Sequence, residues 1–480
     1  MKIKFKTIAL LFLVVLGYQS STQAQENKFF TNGLPIEVPE GFIWGISGHT
    51  TSTDSPPYRN NIPLQVELLK EHQFDYYRLG VPTTLNGVAK RKQNLDKILG
   101  MLKGTDIKIL PILGGKEFLN FDGPAKDYYS IGYKQTKGFL RVYKDYFDYY
   151  VLFNEVNRKI KNKSKFKNGI SSNEYDNNKF SRFADYIRGM ITAIREMDPS
   201  AKIIINSTGY LSVGFLHLLK EAHIDYDIIG YHWYSGMKEF GKSRKQLNNK
   251  SVYQYLADNF SQDIWVTEIN RKDGSGLRKD GLSKEEEEVQ QRKMVMDYIN
   301  ELDNQHIIKA FFIYELLDEP HLDDNKGYEN PKEAYYGIMD WDEKQKKYTY
   351  KKASKALKFK IEETKYGYED YIYSLFSDLA NGNPNPKDKN FISLKNKFEK
   401  TKKKNSIVKE FLRTQPNQKS TDKQYESLLK KISKNYDVSI WKTKKRTKEE
   451  TIKDILLSNE YWIQSIIDNY KRKVGNKFYH

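Results

Sequence analysis

Between residues 42 and 318, short apolar segments alternate with longer stretches in which apolar residues recur at helical spacing. Eight such segments occur, at residues 42–47, 74–81, 107–113, 149–155, 202–208, 228–234, 263–269 and 309–316. Helical spacing is clearest over residues 66–70, 95–102, 180–197 and 285–302. Segments that are apolar on both faces and alternate with helices are typical of strands in a parallel sheet.

The number and order of these segments predict an α/β fold, a closed (β/α)8 TIM barrel. The alternative is an open doubly wound sheet, which usually has fewer strands and a glycine-rich phosphate-binding turn after the first strand. Here the first segment leads into GISGHTTS (residues 45–52), which lacks the GxGxxG pattern. The sequence therefore favours the barrel, in which all strands end at one mouth.

The pattern changes after residue 365, where loop-like stretches at 381–390 and 414–422 separate lysine-rich amphipathic segments. This predicts a small all-α domain over residues 366–480. Residues 406–414 resemble residues 451–459, as expected of a helical repeat. The segment ILLSNEYW (455–462) resembles the helical repeats called domain of unknown function 4214, which are appended to bacterial exported proteins.

Positive charge is concentrated in this predicted domain. Residues 366–480 hold 25 Lys and Arg against 14 Asp and Glu, whereas residues 25–365 hold 52 against 48. We expect an anionic glycan or a cell surface as the partner of this basic domain, and a solvated basic face without a partner is the alternative. Nucleic acid is not expected as a partner if the chain is exported.

The N-terminus predicts export. Lys2, Lys4 and Lys6 precede a short apolar run at residues 8–17 and small residues around Ala24. This is typical of a cleavable signal peptide over residues 1–24, followed by a barrel domain over 25–365, in a secreted or periplasmic protein. A retained anchor is the alternative, but no transmembrane segment is expected because no apolar run approaches the roughly 20 residues needed.

The chain contains no cysteine, which excludes disulfides, thiol nucleophiles, thiolate zinc sites and a lipid anchor on cysteine. The patterns HExxH and GxSxG are also absent, and residues 323–330 do not fit a calcium loop. We therefore expect no metal and no cofactor.

Two glutamates stand at predicted strand ends. Glu155 ends the fourth segment in YYVLFNEVN, and Glu268 ends the seventh in WVTEIN. In a closed barrel these two carboxylates face the same mouth. A carboxylate pair of this kind hydrolyses glycosidic bonds, one group protonating the leaving oxygen while the other attacks the anomeric carbon or activates water.

These motifs resemble glycoside hydrolase clan A, the retaining (β/α)8 glycosidases, over roughly residues 40–345. The resemblance implies that Glu155 is the acid/base, that Asn154 binds the sugar 2-hydroxyl and that Glu268 is the nucleophile. FFIYELLDEP (311–320) and YGIMDWD (336–342) are similar to family 39-like and family 5-like members.

The resemblance also implies supporting and substrate-binding residues. Arg78 in YYRLG supports the nucleophile, and Tyr234 in GYHWYS hydrogen-bonds it, with His232 beside it. Tyr314 stands where the clan usually has a tryptophan that stacks on the sugar. As alternatives, Arg78 pairs with a structural carboxylate and His232 is a barrel-core histidine.

The sequence also predicts where two tryptophans lie. Trp44 is expected to line the cleft and to contact the substrate. Trp265 points away from Glu268 if the strand alternates regularly, which places it under the helices.

The sequence thus predicts an exported retaining glycoside hydrolase that acts on a poly- or oligosaccharide. A non-catalytic glycan-binding or surface-attachment protein and a transglycosylase are the alternatives. For catalysis, burial is expected to raise the pKa of Glu155 so that it stays protonated, whereas Glu268 must stay ionised. The carboxyl groups of the pair are expected roughly 5 to 5.5 Å apart, as retention requires.

Overall fold

Eight parallel strands pair in chain order, and the last pairs with the first to close a barrel. They are β1 (Ile43–Gly48), β2 (Tyr76–Gly80), β3 (Lys108–Leu113), β4 (Tyr149–Leu152), β5 (Lys202–Thr208), β6 (Ile228–Tyr234), β7 (Asp263–Asn270) and β8 (Ile308–Ile313). Each lies within or beside one of the predicted segments, which confirms the (β/α)8 fold. β4 is shorter than predicted, so Glu155 lies in the loop beyond its end.

The structure is a computed structural model that describes residues 38, 41–114, 122–237, 239, 241–276, 282–302, 307–323, 331–342, 344–379, 387, 389–401, 404–414, 421–433, 447–458, 461, 464, 465 and 468. The predicted signal peptide lies outside these residues. The chain divides into two compact units, Val38–Lys358 and a unit that contains Phe359–His480. The sequence places the domain boundary at residue 366.

Helices follow the strands of the first unit and cover the barrel. They are α1 (Pro56–Arg59), α2 (Ile62–His72), α3 (Lys92–Leu102), α4 (Tyr128–Tyr143), α5 (Asn177–Met197), α6 (Gly214–Glu221), α7 (Val252–Asn259), α8 (Lys284–Leu302) and the start of α9 (Lys352–Leu379). α2, α3, α5 and α8 contain the four predicted helical stretches. Before α9, β9 (Met339–Asp342) and β10 (Lys347–Tyr350) form an antiparallel pair.

The barrel interior is closed below the mouth by a layer of apolar side chains to which every strand contributes. The layer consists of Tyr76, Leu110, Val151, Ile204, Ile228, Trp265, Ala310 and Phe312, with Ile43, Ile112 and Tyr149 at its margin. Packing these side chains fills the barrel below the mouth, as is usual for this fold.

One strand departs from regular alternation, and this corrects the prediction for Trp265. His232 of β6 pairs with Glu268, but the pairing skips Thr267, which is an extra residue in β7 and forms a β-bulge. The bulge lets both Trp265 and Glu268 point into the barrel, where Trp265 stacks on Phe312. The prediction that Trp265 lies under the helices is therefore wrong.

The second unit is helical in its described part, as predicted. The remainder of α9 is followed by α10 (Lys389–Thr401), α11 (Lys404–Thr414), α12 (Thr421–Ser433) and α13 (Lys448–Leu457). Their apolar faces share a core that includes Leu375, Ile407, Phe411, Ile432 and Ile455. Throughout the described residues, no helix combines the length and the apolar character that a membrane span requires.

Candidate active site

A cavity of about 980 Å³ lies at the carboxyl ends of the strands. Six of the predicted site residues line it: Arg78, Asn154, Glu155, Tyr234, Glu268 and Tyr314. His232 is fully buried directly behind the two glutamates. The structure therefore brings seven of the eight predicted residues together.

Glu268 is held by one donor on each carboxylate oxygen. The guanidinium of Arg78 donates to Oε1 at 2.7 Å, and the hydroxyl of Tyr234 donates to Oε2 at 2.8 Å. Arg78 and Glu268 are only 2% and 4% exposed, so the ion pair is shielded from water. Burial, followed by the charge of Glu268, raises the pKa of Tyr234, which keeps its hydroxyl protonated as a donor.

Arg78 also positions Asn154. Its second terminal nitrogen, Nη2, donates to Oδ1 of Asn154 at 2.7 Å. This hydrogen bond identifies the oxygen and the nitrogen of the Asn154 amide, because only the oxygen can accept from arginine. The Asn154 Nδ2 group is then left as a donor at the cavity wall.

Glu155 is placed by a tight turn after β4. Its backbone is left-handed, with φ of 50° and ψ of 36°, and it precedes a 3-10 helix at Val156–Arg158. Asn206 on β5 holds this turn: its Oδ1 accepts the N–H of Glu155 at 2.7 Å, and its Nδ2 donates to the carbonyl of Phe153 at 2.8 Å. Asn206 is buried, and sequence reasoning missed it.

We expect Asn206→Ala to release this turn. Loss of both hydrogen bonds should lower the free energy of unfolding by about 1–3 kcal/mol. Misplacing the Glu155 carboxylate should lower kcat/KM about 10- to 100-fold. Asn259→Ala is a matched control, since the Asn259 side chain donates to the carbonyl of Tyr255 on α7, away from the cavity. Equal rates for the two variants would contradict a positioning role for Asn206.

His232 lies between the two glutamates. Its Nδ1 is 2.9 Å from Oε1 of Glu155 and 3.2 Å from Oε2 of Glu268. One ligand atom from each of the three residues lies within 4.8 Å of the other two. On the other side of the ring, Nη2 of Arg78 is 3.5 Å from Nε2. Since arginine can only donate, Nε2 is the acceptor. The ring proton is therefore on Nδ1 and points towards the two carboxylates.

The pKa of Glu155 differs from the prediction. Burial raises it, as expected, but hydrogen bonds from His232 and Arg158 outweigh burial and lower the pKa to about 2. Arg158 donates to Oε2 at 3.0 Å from a side chain that is 64% exposed. The prediction that burial keeps Glu155 protonated is therefore wrong for the protein alone, because it left out these two donors.

Tyr314 lines the cavity, as predicted, whereas Trp44 does not. The ring of Tyr314 makes edge contacts with Tyr234 and Tyr336. Trp44 is 1% exposed and packs against Phe311. The prediction that Trp44 contacts the substrate is wrong because β1 alternates regularly and turns this ring away from the barrel interior.

A second polar cluster, which sequence reasoning also missed, joins the ends of β1 and β8. Nε2 of His49 is 3.1 Å from Oε2 of Glu315 and 3.7 Å from Oε2 of Glu319. Although burial lowers the pKa of His49, the charges of Glu319 and Glu315 raise it to about 10. Burial and the charge of Glu319 raise the pKa of Glu315 to about 8. The cluster offers ligand atoms of the kind that bind metals, but the protonated imidazole already supplies a cation between the two carboxyl groups.

One family model matches part of the chain. Residues 151–310, one third of the chain, match the model of glycosyl hydrolase family 53. The matched range contains both Glu155 and Glu268. It confirms neither family 39 nor family 5, to which the sequence motifs are similar. No curated protein matches the chain.

Among solved structures, the chain is similar to the family 1 β-glucosidase from Thermotoga maritima, with 12% identity and a TM-score of 0.49, over 68% of this chain and 99% of that one. The β-glucosidase from the same organism in complex with glucoimidazole has 11% identity and the same TM-score and coverage. At this level of similarity, the fold assignment rests on the closed barrel itself.

Proposed function

We propose that this protein is a retaining glycoside hydrolase of the clan A type that cleaves a poly- or oligosaccharide. The observation that supports the proposal is the pair Glu155 and Glu268 at the mouth of the barrel. One oxygen of each carboxylate contacts Nδ1 of the buried His232. Their facing oxygens lie within 4.8 Å. This supports the separation of roughly 5 to 5.5 Å typical of retention rather than the roughly 6.5 to 9.5 Å typical of inversion.

Glu268 is the nucleophile in this proposal. A nucleophilic carboxylate must be aimed at the anomeric carbon, and the hydrogen bonds from Arg78 and Tyr234 fix its orientation. Attack on the anomeric carbon forms a glycosyl ester on one oxygen of Glu268 as the bond to the leaving oxygen breaks. Asn154 donates through Nδ2 to the sugar 2-hydroxyl, a contact that strengthens in the transition state.

Glu155 is the acid/base. It must give a proton to the leaving oxygen, yet without a bound sugar its low pKa keeps it ionised. The hydrogen bond between His232 Nδ1 and Oε1 of Glu155 holds the carboxyl group in place, and the neutral imidazole keeps that proton. A sugar that draws Arg158 away from Oε2 weakens the stabilisation of the ionised form, so Glu155 takes up a proton from solvent as the sugar enters. In the second step, Glu155 takes a proton from the attacking water.

The anomeric configuration of the first product tests the proposal. Proton NMR of a fresh digest should show the anomer of the substrate before mutarotation sets in. Inverted product would overturn the retaining mechanism. A protein that retains glycans without releasing reducing ends would instead be a binding protein, and accumulation of longer oligosaccharides would identify a transglycosylase.

We propose that the protein is exported and that the second unit binds an anionic glycan or cell surface. Exposed lysines on three of its helices support this, Lys409 on α11, Lys430 on α12 and Lys453 on α13. Exposed cations attract a polyanion over about 8–10 Å at physiological salt.

We expect full-length protein with these three lysines changed to glutamine to bind an anionic polymer roughly tenfold more weakly at low ionic strength. Its turnover of small aryl glycosides should match that of the wild type. Shortening the chain to residue 365 should abolish the salt-dependent part of polymer binding. Undiminished polymer binding by both variants would contradict the proposal, and loss of small-substrate turnover in the triple variant would show that the unit serves the cleft instead.

A further inference from the structure

Two cations, Arg158 and Lys161, line the cavity near Glu155. Arg158 contacts Oε2 of Glu155, while the inner oxygen, Oε1, faces His232. Lys161 follows three residues later, and both cations line the cavity. Because Glu155 protonates the glycosidic oxygen, the space beyond its outer oxygen receives the sugar that leaves.

Lys161 is held in place rather than free at the surface. Its backbone forms an antiparallel bridge with Tyr175, and its ammonium lies 4.0 Å from the centre of the Phe166 ring. The connecting loop is fixed by Glu174, a buried carboxylate that accepts four backbone N–H groups between residues 167 and 171. The loop thus presents a preorganised cation.

The charges around Lys161 are not balanced. Within the described part of the chain, no carboxylate lies within ion-pair distance of its ammonium. Burial, followed by the charge of Arg158, lowers the pKa of Lys161, and the opposing charge of Glu155 offsets this only in part. An anion that binds between two adjacent cations removes their mutual repulsion. One of the two, Lys161, has no ion-pair partner among the described residues, so anion binding there is favourable.

We propose that Arg158 and Lys161 form an anion subsite for the leaving-group sugar, so that the substrates are glycans carrying a carboxylate or a sulfate on that residue. This inference rests on the proposed glycosidase function and specifies its substrate class. The subsite would also affect the protonation of Glu155. An anion that binds Arg158 weakens the hydrogen bond from Arg158 to Glu155, and Glu155 is then easier to protonate.

The test compares polysaccharides that differ only in charge. Uronate-containing and sulfated polymers are assayed beside the same polymers after carboxyl reduction or desulfation, together with neutral polymers, and reducing ends are measured. We expect removal of the anionic group to lower kcat/KM by about 10- to 100-fold, the effect of losing a charge-assisted contact. Loss after carboxyl reduction identifies a carboxylate, and loss after desulfation identifies a sulfate.

Variants assign the effect to the two residues. In Lys161→Gln and Arg158→Gln, the ratio of kcat/KM for the acidic polymer to that for its neutralised form should fall about tenfold. Lys165→Gln is the matched control, because Lys165 is exposed in the same loop and does not line the cavity. Its ratio should match that of the wild type.

The outcomes separate this inference from the function on which it rests. Cleavage of neutral and acidic forms at equal rates overturns the anion subsite and leaves the glycosidase proposal standing. A charge preference that survives in both variants also overturns the subsite. Release of no reducing ends from any polymer overturns the glycosidase proposal itself, and the subsite with it.

Discussion

Glu268→Ala is expected to abolish turnover of every substrate, with a loss of at least about 10⁴-fold, because the nucleophile is removed. Among the described residues, no other carboxylate is held by Arg78 and Tyr234, so no group of the protein is expected to replace it at the anomeric carbon. Activated leaving groups do not restore the rate, because the missing step is the attack itself. The measurement is kcat/KM for a series of aryl glycosides with leaving groups of decreasing pKa.

Two controls accompany this prediction. Glu268→Ala leaves the buried guanidinium of Arg78 without its carboxylate, which should cost about 1–3 kcal/mol of the free energy of unfolding or more. Glu268→Gln keeps the volume, so an equal loss of activity in that variant separates chemistry from folding. Glu221→Ala, an exposed glutamate at the end of α6, should be fully active. Residual activity of Glu268→Ala that rises with leaving-group ability would contradict the assignment.

Glu155→Ala should fail in a different way. With a poor leaving group, loss of the acid should lower kcat/KM by about 10²- to 10⁴-fold. An activated aryl glycoside needs no proton, so its first step should be nearly unaffected, and the glycosyl-enzyme should accumulate because the base for the second step is missing. Added azide, which needs no base, should restore turnover and give the glycosyl azide with the anomeric configuration of the substrate.

The contrast between the two variants is the decisive feature. With the same aryl glycoside, azide should rescue Glu155→Ala with retained configuration, whereas any azide product of Glu268→Ala should be inverted, because azide then attacks the anomeric carbon directly. If the two variants respond alike to activated leaving groups and azide, the assignment of acid/base and nucleophile is wrong. Rescue of Glu268→Ala alone, with product of retained configuration, would exchange the two roles.

Much of the site follows from the sequence because strand ends in a barrel converge. Glu155 and Glu268 are far apart in the chain, yet both follow apolar segments, and the closed barrel brings their carboxylates to one mouth. Arg78, His232 and Tyr234 are predicted from the resemblance to clan A, and the structure places all three beside the two glutamates. Ser47 of β1 contacts Arg78 and therefore points into the barrel. Trp44 lies three residues earlier, so regular alternation along β1 predicts that it points away from the cavity.

The rest depends on features that have no local signal. The bulge at Thr267 reverses the alternation in β7, so Trp265 shares the interior with Glu268. Asn206 holds the Glu155 turn from a neighbouring strand, and nothing in its own sequence context marks that contact. The pKa of Glu155 is set by His232, 77 residues away, together with Arg158. Hydrogen bonds between distant segments decide these properties.

The most direct test of the central claim is to trap the covalent intermediate. Glu155→Ala is mixed with an activated aryl glycoside of the sugar that the polysaccharide panel selects, quenched in acid and analysed by intact mass and peptide mapping. The account predicts a mass increase of one glycosyl residue, located on the peptide that contains Glu268 and lost when azide is added. An adduct on another residue, or rapid turnover with inverted product and no adduct, would contradict it.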